Sequence, residues 1–221
     1  IEFYSIVLIL NFTIFIFNKP LFIKEIKSLI HTIRKLDVLF KALFFAIFII
    51  TLVQSATAPY LLDNESYYIQ TIKWINEFGY VKGLANLHLF FAQNSAWHTL
   101  QAGLNFPFIS DFFNDLNGFL FILISLLAIE KLNNYKYNFD SQGFCFGLIL
   151  LFTIFFMQFI NAPSPDLIVF VLTPYVFYLF ITQYDSIDEN SFKTVLSLVL
   201  FLCLIKVTLA VIILLILILF F

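Results

Sequence analysis

Three acidic residues stand at the ends of apolar segments, where a carboxylate can act as a base or bind a ligand. Asp63 and Glu65 follow one long apolar run, and Asp166 opens a later one. Two carboxylates near each other can supply a general base and a second group that orients substrate or binds a metal. An ionisable residue at membrane depth is a functional hypothesis by default. These three acids are therefore the candidate catalytic residues.

The same residues also have a purely structural interpretation. Asp63 or Asn64 would make a good helix N-cap, and Glu65 suits the positive end of a helix dipole. Ser164 as a cap and Pro165 at the first helical position would explain the turn before Asp166. The residues alone leave both interpretations open.

Lys206 separates the last two apolar runs, at 192–205 and 207–221. Either the two runs form one long helix or the chain turns back in a hairpin at the lysine, and we favour the hairpin. A hairpin would bring Lys206 to the face that carries the three acids. Together these charges would bind a phosphate-bearing, lipid-borne substrate, whereas the structural alternative is a lysine that snorkels to the membrane interface.

Two histidines, His88 and His98, lie in the same loop as Asp63 and Glu65. A metal site is conceivable there, but zinc sites usually show tighter spacing such as His-Glu-x-x-His, which is absent. We therefore expect these histidines to be interfacial or hydrogen-bonding residues. Cys145 and Cys203 sit inside apolar runs near opposite membrane faces, so no disulfide is predicted.

The elements that position these residues are predicted to be transmembrane helices. The chain has 62% hydrophobic and 12% charged residues, whereas a soluble domain has about 25% charged residues. A helix needs about 20 apolar residues to cross a bilayer. The apolar runs are residues 3–17, 39–62, 116–129, 143–160, 167–182, 192–205 and 207–221. We predict an all-α integral membrane protein with about six to seven transmembrane helices.

Lysine and arginine collect in the connections that are predicted to be cytoplasmic. The connection after the first run holds most of them: Lys19, Lys24, Lys27, Arg34, Lys35 and Lys41. Lys131, Lys136 and Lys193 also fall inside, which leaves only Lys73, Lys82 and Lys206 outside. The lipid bilayer is the dominant partner. The basic residues form no stripe, so nucleic acid is not a predicted partner.

A large loop, residues 54–115, is then outside the membrane. Helical periodicity over 65–78 places Tyr68, Ile72, Ile75 and Phe78 on one face, which predicts an amphipathic helix in the membrane interface. This helix should end at Gly79. Its aromatic residues Tyr67, Tyr68 and Trp74 would lie at headgroup depth. A second helical stretch should follow Gly83 past Trp97, and the chain should re-enter lipid after Pro107.

Residues 1–221 are interpreted as one transmembrane domain that contains this loop. Because the chain opens on Ile1 and stops inside an apolar run, we expect it to be a fragment of a longer protein. No Gly-x-Gly-x-x-Gly, Walker A or Gly-x-Ser-x-Gly pattern occurs, which argues against nucleotide binding and serine hydrolysis in this segment.

The large loop resembles a family of mostly uncharacterised bacterial polytopic membrane proteins related to the GT-C class of lipid-linked-sugar glycosyltransferases. The resemblance rests on Asp63-Asn64-Glu65-Ser66-Tyr67-Tyr68 and the residues up to Ile75, on 79–88 and on Asn94-Ser95-Ala96-Trp97. Ser164-Pro165-Asp166-Leu167 and Leu204-Ile205-Lys206-Val207-Thr208 look like weaker GT-C features. The sequence departs from the class where Asn64 separates the two acids and where His98 replaces an apolar or aromatic residue.

The resemblance implies an inverting transfer of sugar from a polyprenyl-phosphate donor, at the outer face of the bacterial inner membrane. The process would be cell-surface polysaccharide or glycolipid assembly. Asp63 would be the base that takes a proton from the acceptor hydroxyl, with Glu65 and Asp166 in support. Lys206, Lys82 or a bound divalent cation would stabilise the phosphate. The candidate substrate-binding residues are Lys82, His88, Asn94 and Lys206.

Two other classes of function remain open. A transporter or flippase of a lipid-linked saccharide would use the same acids for binding, although such proteins commonly place their site at the bilayer midplane between repeats. No repeat is found here. A non-catalytic membrane scaffold would be favoured if Asp63, Glu65 and Asp166 were separate helix caps.

Overall fold

The computed structural model describes residues 2–104, 115–152, 155 and 157–218, and within them it contains helices and turns but no strand. The α-helices are α1 Glu2–Lys35, α2 Val38–Ser55, α3 Ile69–Phe78, α4 Ala96–Leu104, α5 Asp115–Asn138, α6 Ser141–Gly147, α7 Pro165–Gln183, α8 Glu189–Ile205 and α9 Ile213–Ile218. The all-α prediction is confirmed for these residues.

Three of the described segments are long and apolar enough to cross a membrane: Val38–Ser55, Leu116–Asn138 and Pro165–Ser186. Only 11% of the first segment is buried inside the protein, against 50% of the second. Apolar side chains that face away from the protein along such a helix are suited to contact with lipid. The described part of the molecule thus has the character of a membrane protein, and six to seven crossings stays a prediction.

The first apolar run and the basic connection after it form one long helix, α1, rather than a helix and a loop. It kinks at Asn18, whose backbone leaves the helical region (φ −111°, ψ 15°), two residues before Pro20. Proline inside a helix removes a backbone hydrogen bond and clashes with the preceding turn, which produces such kinks. The end of α1 is held by Leu36, which is buried against residues of α2 and α5.

The main core lies between α5, α7 and α8, with α6 and α2 packed on α5. Its fully buried members include Ala128, Ile168, Val176, Val199 and Leu202. Near the start of α5, Gly118 lets α2 approach closely, because a Cβ there would lie 2.6 Å from Ser55 Oγ. This contact fixes the start of α5 beside the end of α2, from which the large loop departs.

The structure departs from one predicted apolar helix and agrees with the predicted break between two others. Of the helix predicted over 143–160, the described residues form α6 and the 3₁₀ turns Leu148–Phe152 and Met157–Phe159, while 153, 154 and 156 lie outside the described residues. Helix α8 ends at Ile205, and Lys206 is extended before a 3₁₀ segment and α9 pack back on α8. The chain therefore breaks at Lys206, as the hairpin interpretation predicts, and the alternative of one long helix is wrong.

The large loop begins with a π-helical turn, Asn64–Tyr68, which continues into α3. Helix α3 ends at Gly79, whose positive φ of 69° requires glycine, so the predicted end of this helix is confirmed. The stretch after Gly83 is not one helix but two short 3₁₀ turns and α4. The predicted re-entry after Pro107 lies outside the described residues.

The aromatic residues of the loop differ from the prediction of headgroup exposure. Tyr67 and Tyr68 are buried in protein rather than at the surface, while Trp74 is half-buried and Phe78 is exposed. The cause is tertiary packing, because α4 and the turn before α7 cover the face that the sequence assigns to the membrane interface. The loop is thus folded onto the helical core.

Candidate functional site

Asp166 and Lys206 form an ion pair between the start of α7 and the break after α8. Ser164 caps α7 by accepting a hydrogen bond from the backbone N–H of Asp166 at 3.2 Å, and Pro165 takes the first helical position. The Asp166 carboxylate is therefore not needed as a cap and is free to bind the ammonium. Both side chains stay partly open to solvent. The two side chains therefore meet, as the hairpin interpretation predicts.

A buried tyrosine pair connects the large loop to this ion pair. Tyr67 and Tyr68 have ring centroids 4.5 Å apart, and the Tyr68 hydroxyl accepts a hydrogen bond from Ser164 Oγ at 3.3 Å. Burial, more than any other cause, raises the pKa of both phenols, and the carboxylates of Asp63 and Asp166 raise each pKa further. Both acids therefore lie within electrostatic reach of one tyrosine pair.

Asp63 and Glu65 are both exposed, and Glu65 lies in the first helical turn, as the structural interpretation predicts. The Asp63 side chain makes no capping hydrogen bond to the helical turn that follows it. Glu65 accepts a hydrogen bond from Asn64 Nδ2 at 3.2 Å, while the buried Asn64 Oδ1 has no partner. Asp63 thus presents an exposed carboxylate without a structural role in the local helix.

His98 belongs to α4 and is 1% exposed. Its ring is 5.3 Å from the ring of Tyr68, and neither ring nitrogen has a hydrogen-bond partner. Burial lowers the pKa of His98 to about 4, and the opposing effects of the Pro163 carbonyl and the Asp166 carboxylate are smaller. The imidazole is therefore neutral at pH 7. His98 is thus a core residue rather than an interfacial one, because α4 turns this side chain into the core.

Asn117, which the sequence analysis did not single out, joins the loop to the turn before α7. Its Oδ1 accepts hydrogen bonds from Trp97 Nε1 at 2.7 Å and Gln101 Nε2 at 3.2 Å. Its Nδ2 donates to the carbonyls of Phe159, Ala162 and Ser164 at 2.7–3.1 Å. The sequence signal for this network was an asparagine at the start of an apolar helix. A buried side-chain amide, in lipid or in protein, needs hydrogen-bond partners.

Two cavities adjoin each other in the large loop. The first, called the polar cavity, has a volume of about 320 Å³ and is lined by Trp74, Tyr80, Lys82, Gln93 and Asn94 among others. The second, called the apolar cavity, has a volume of about 560 Å³ and is lined by Tyr80, Asn94, Leu100, Leu104, Phe201 and Leu204 among others. Tyr80 and Asn94 belong to both walls.

The predicted site residues therefore fall in two places. Lys82 and Asn94 line the polar cavity, whereas Asp63, Glu65, Asp166 and Lys206 line neither cavity. His88 is exposed and stacks near Phe90 and Phe91 at 5.4 and 5.5 Å between ring centroids. The structure brings Asp166 and Lys206 together and sets Asp63 near the same tyrosines. Lys82 lines a cavity whose wall includes none of these residues.

A divalent cation would need a set of ligands that the described residues do not assemble. No group of three or more His, Cys, Asp or Glu residues converges in 2–104, 115–152, 155 and 157–218. Hard cations such as Mg²⁺ are usually held by carboxylates together with substrate phosphates. Asp63 or Asp166 would at most supply part of such a shell.

Comparison with known proteins gives one match. Residues 1–221 match the family model described as a domain of unknown function (DUF8201), and the chain belongs to that family. No curated protein and no solved structure matches the chain. Because the family description assigns no activity, the functional argument depends on the arrangement of the residues.

Proposed function

We propose that this DUF8201 protein is a GT-C-like inverting glycosyltransferase that uses a polyprenyl-phosphate-linked sugar in cell-surface polysaccharide or glycolipid assembly. The observation that carries the proposal is the Asp63 carboxylate. It is exposed, it caps no helix, and it acts on the same buried tyrosine pair as Asp166. An exposed carboxylate that makes no capping hydrogen bond is available for proton transfer.

The chemistry is one displacement at the anomeric carbon. Asp63 takes the proton of the acceptor hydroxyl, whose oxygen attacks the anomeric carbon from the side opposite the phosphate, in the manner of an inverting glycosidase. The bond between that carbon and the phosphate oxygen breaks, and the phosphate leaves with the electron pair. A phosphate is a good leaving group, so no acid is required to protonate it.

Lys206 is the proposed cation for the leaving phosphate. An ammonium aimed at the place where negative charge develops lowers the barrier to transfer. The ion pair with Asp166 orients this long, flexible side chain, and both members stay accessible to a ligand. Asp166 is then a positioning residue, and Glu65 supports Asp63 through its hydrogen bond with Asn64.

The proposal includes an arrangement in the bacterial inner membrane with six to seven crossings and the large loop outside. Its support is the distribution of Lys and Arg along the chain, which predicts a cytoplasmic connection after the first run. The break at Lys206 supports a return of the chain to the side of Asp166.

The test is sugar transfer by the full-length protein with Asp63→Asn. Removal of a general base is expected to lower the rate by about 10²–10⁴-fold, while the amount of protein in the membrane stays the same. Glu77→Gln is the matched control, because Glu77 is an exposed acid of the same loop, at the end of α3. Transfer that survives Asp63→Asn at the wild-type rate would remove Asp63 from the reaction.

A transporter or flippase of a lipid-linked saccharide is the second candidate. The observation in its favour is the extended backbone at Lys206 between two helical segments, because interrupted helices often carry binding groups in transporters. The two candidates differ in product: a flippase moves the saccharide between leaflets with the sugar–phosphate bond intact. Mass analysis of the lipid product distinguishes them.

A further inference from the structure

The polar cavity collects groups that hydrogen-bond to nothing else in the described protein. The Lys82 ammonium and the side-chain amides of Gln93 and Asn94 line its wall, and none of the three makes a side-chain hydrogen bond with any described residue. The half-buried Trp74, which packs on Phe78 at 5.0 Å, supplies an aromatic face. Amide donors and acceptors beside an aromatic face suit a saccharide, which offers hydroxyls at its edge and C–H groups on its faces.

The apolar cavity shares two wall residues with the polar cavity. Tyr80 and Asn94 line both, and the Tyr80 hydroxyl is held by Thr99 Oγ1 at 2.5 Å. Beyond them the wall is aliphatic and aromatic, and it reaches the exposed Leu204 near the end of α8. A molecule lying across Tyr80 and Asn94 would thus meet polar groups at one end and apolar side chains at the other.

We infer that the two cavities form one site for a glycolipid, with the saccharide in the polar cavity and the first part of its lipid chain in the apolar cavity. The inference goes beyond the proposed function and does not depend on it, because it assigns a binding site and no step of sugar transfer. The site is separate from Asp63, Asp166 and Lys206, none of which lines it.

The experiment uses the two tryptophans of the chain. The protein is placed in phosphatidylcholine nanodiscs that contain increasing amounts of monoglucosyl diacylglycerol or of plain diacylglycerol, and tryptophan emission is recorded. We expect a saturable change with the glucosyl lipid alone. The change should be lost in Trp74→Phe, which leaves only the buried Trp97. Equal responses to both lipids, or a response that survives Trp74→Phe, would overturn the inference.

A matched pair of variants tests the shared wall. Asn94→Ala should weaken binding of the glucosyl lipid about tenfold, as the loss of one good hydrogen-bonding group does. Asn76→Ala, an exposed amide of α3 that lines neither cavity, should leave it unchanged. Binding that is insensitive to Asn94→Ala contradicts the site.

This test and the test of the proposed function fail independently. Glycolipid binding with no sugar transfer by the wild-type protein would remove the glycosyltransferase and keep the site. Transfer that depends on Asp63, with no response of Trp74 to the glycolipid, would remove the site and keep the enzyme.

A second, independent observation concerns the half of α1 after the kink. Residues 19–35 form a helix with Lys24, Lys27, Arg34 and Lys35 on one side, and none of these is ion-paired within the described residues. The opposite side carries the exposed apolar side chains Phe22, Ile26 and Leu29, while the exposed Ile23 and Ile30 flank the basic side. The kink at Asn18 lets this half take a direction different from that of the apolar first half.

We propose that residues 19–35 lie in the membrane interface and bind anionic phospholipid headgroups. The apolar side enters the acyl region while the basic side meets the phosphates, the geometry of interfacial amphipathic helices. The far end of this helix is anchored, since Leu36 is buried against α2 and α5 and the Asp37 backbone N–H donates to Asn133 Oδ1 at 2.9 Å.

Hydrogen exchange of the full chain in nanodiscs tests this assignment. Amides in 19–35 should exchange more slowly in phosphatidylglycerol than in phosphatidylcholine, and the difference should shrink as salt rises. The double variant Lys24→Gln/Lys27→Gln should bind phosphatidylglycerol at least about tenfold more weakly. Each lysine near an anionic surface strengthens binding severalfold. Lys193→Gln, at an exposed lysine of α8, is the control. Equal exchange in both lipids would contradict the proposal.

Discussion

Asn117 and Asp37 tie the two ends of α5 to distant parts of the chain. At the start of α5, the Asn117 cluster joins Asn117, Trp97, Gln101 and the turn before α7, and its amide is fully buried. At the other end, the Asp37 cluster joins Asp37 to Lys136 at 2.9 Å and to the Tyr137 hydroxyl, both exposed. The first cluster is a buried network of neutral hydrogen bonds, and the second is an exposed ion pair with a tyrosine hydrogen bond.

Burial decides what each cluster contributes. A lost partner in the Asn117 cluster leaves a polar group with no water to replace it, and the penalty is the full cost of desolvation. A lost partner in the Asp37 cluster is replaced by water, and exposed ion pairs are weak and screened by salt. The first cluster therefore holds the large loop on the helical core, while the second adds little beyond the apolar contacts of Leu36.

The largest effect is expected for Asn117→Leu. The substitution keeps the size of the side chain but leaves Trp97 Nε1 and the Ala162 carbonyl without their partner, so the free energy of unfolding should fall by about 3 kcal/mol or more. SDS titration in mixed micelles measures it. Asn138→Leu, at the exposed last residue of α5, is the control. Equal stabilities of the two variants would refute the role of burial in this comparison.

Acid should weaken the loop through His98. Its folded pKa, lowered to about 4 from 6.5, means that the unfolded chain takes up the proton first. The free energy of unfolding should therefore fall as pH drops from about 6.5 to 4, by up to about 3 kcal/mol at 1.4 kcal/mol per pKa unit. His98→Phe should remove this part of the slope, whereas His88→Phe, at an exposed position, should keep it. If His98→Phe kept the wild-type dependence of the free energy of unfolding on pH, the His98 imidazole of the wild type would have to be hydrated rather than buried.

Trp97→Phe should have an intermediate effect. The variant loses the hydrogen bond to Asn117 Oδ1 and part of a buried ring, but Gln101 Nε2 still donates to that oxygen. We expect a loss of about 2 kcal/mol in the free energy of unfolding. Trp74→Phe, at the half-buried tryptophan, should cost less. A larger loss of stability in Trp74→Phe than in Trp97→Phe would show that the loop is held mainly through α3 rather than through α4.

The smallest effect is expected for Asp37→Asn. Hydrogen bonds from Lys136 first, and from Tyr137, lower the pKa of Asp37. Its contribution is therefore present above the ordinary value of 3.8 and is lost as pH falls through the lower folded pKa. At pH 7 and physiological salt the variant should unfold within experimental error of the wild type. A loss comparable to that of Asn117→Leu would make the two ends of α5 equivalent.

Local patterns in the sequence predicted the helical framework and several boundaries. Three of the apolar runs overlap the segments that can cross a membrane. The end of α3 at Gly79, the Ser164 cap of α7 and the break at Lys206 agree with the structure. Hydropathy, capping and a charged residue between apolar runs act over a few residues. That short range is why a single sequence reveals them.

The candidate site was predicted in part. The meeting of Asp166 and Lys206 follows from the parity of the helices, and it is found. The separation of Lys82 and Asn94 into another cavity was not predicted, because it depends on how the segment after Gly83 folds back on α3. The roles of these residues in catalysis and binding stay predictions.

By itself, the sequence determined that the described chain is apolar, helical and interrupted at defined residues, since these properties come from side-chain chemistry and neighbouring backbone. Only the tertiary structure decided that Tyr68 and His98 are buried, that Asn117 is the centre of a hydrogen-bond network and that Asp63 caps nothing. The same side chains would be exposed or paired with water if α4 did not pack over the turn before α7. Burial depends on contacts between segments that are far apart in the chain. The periodicity of one segment does not encode which other segment covers it.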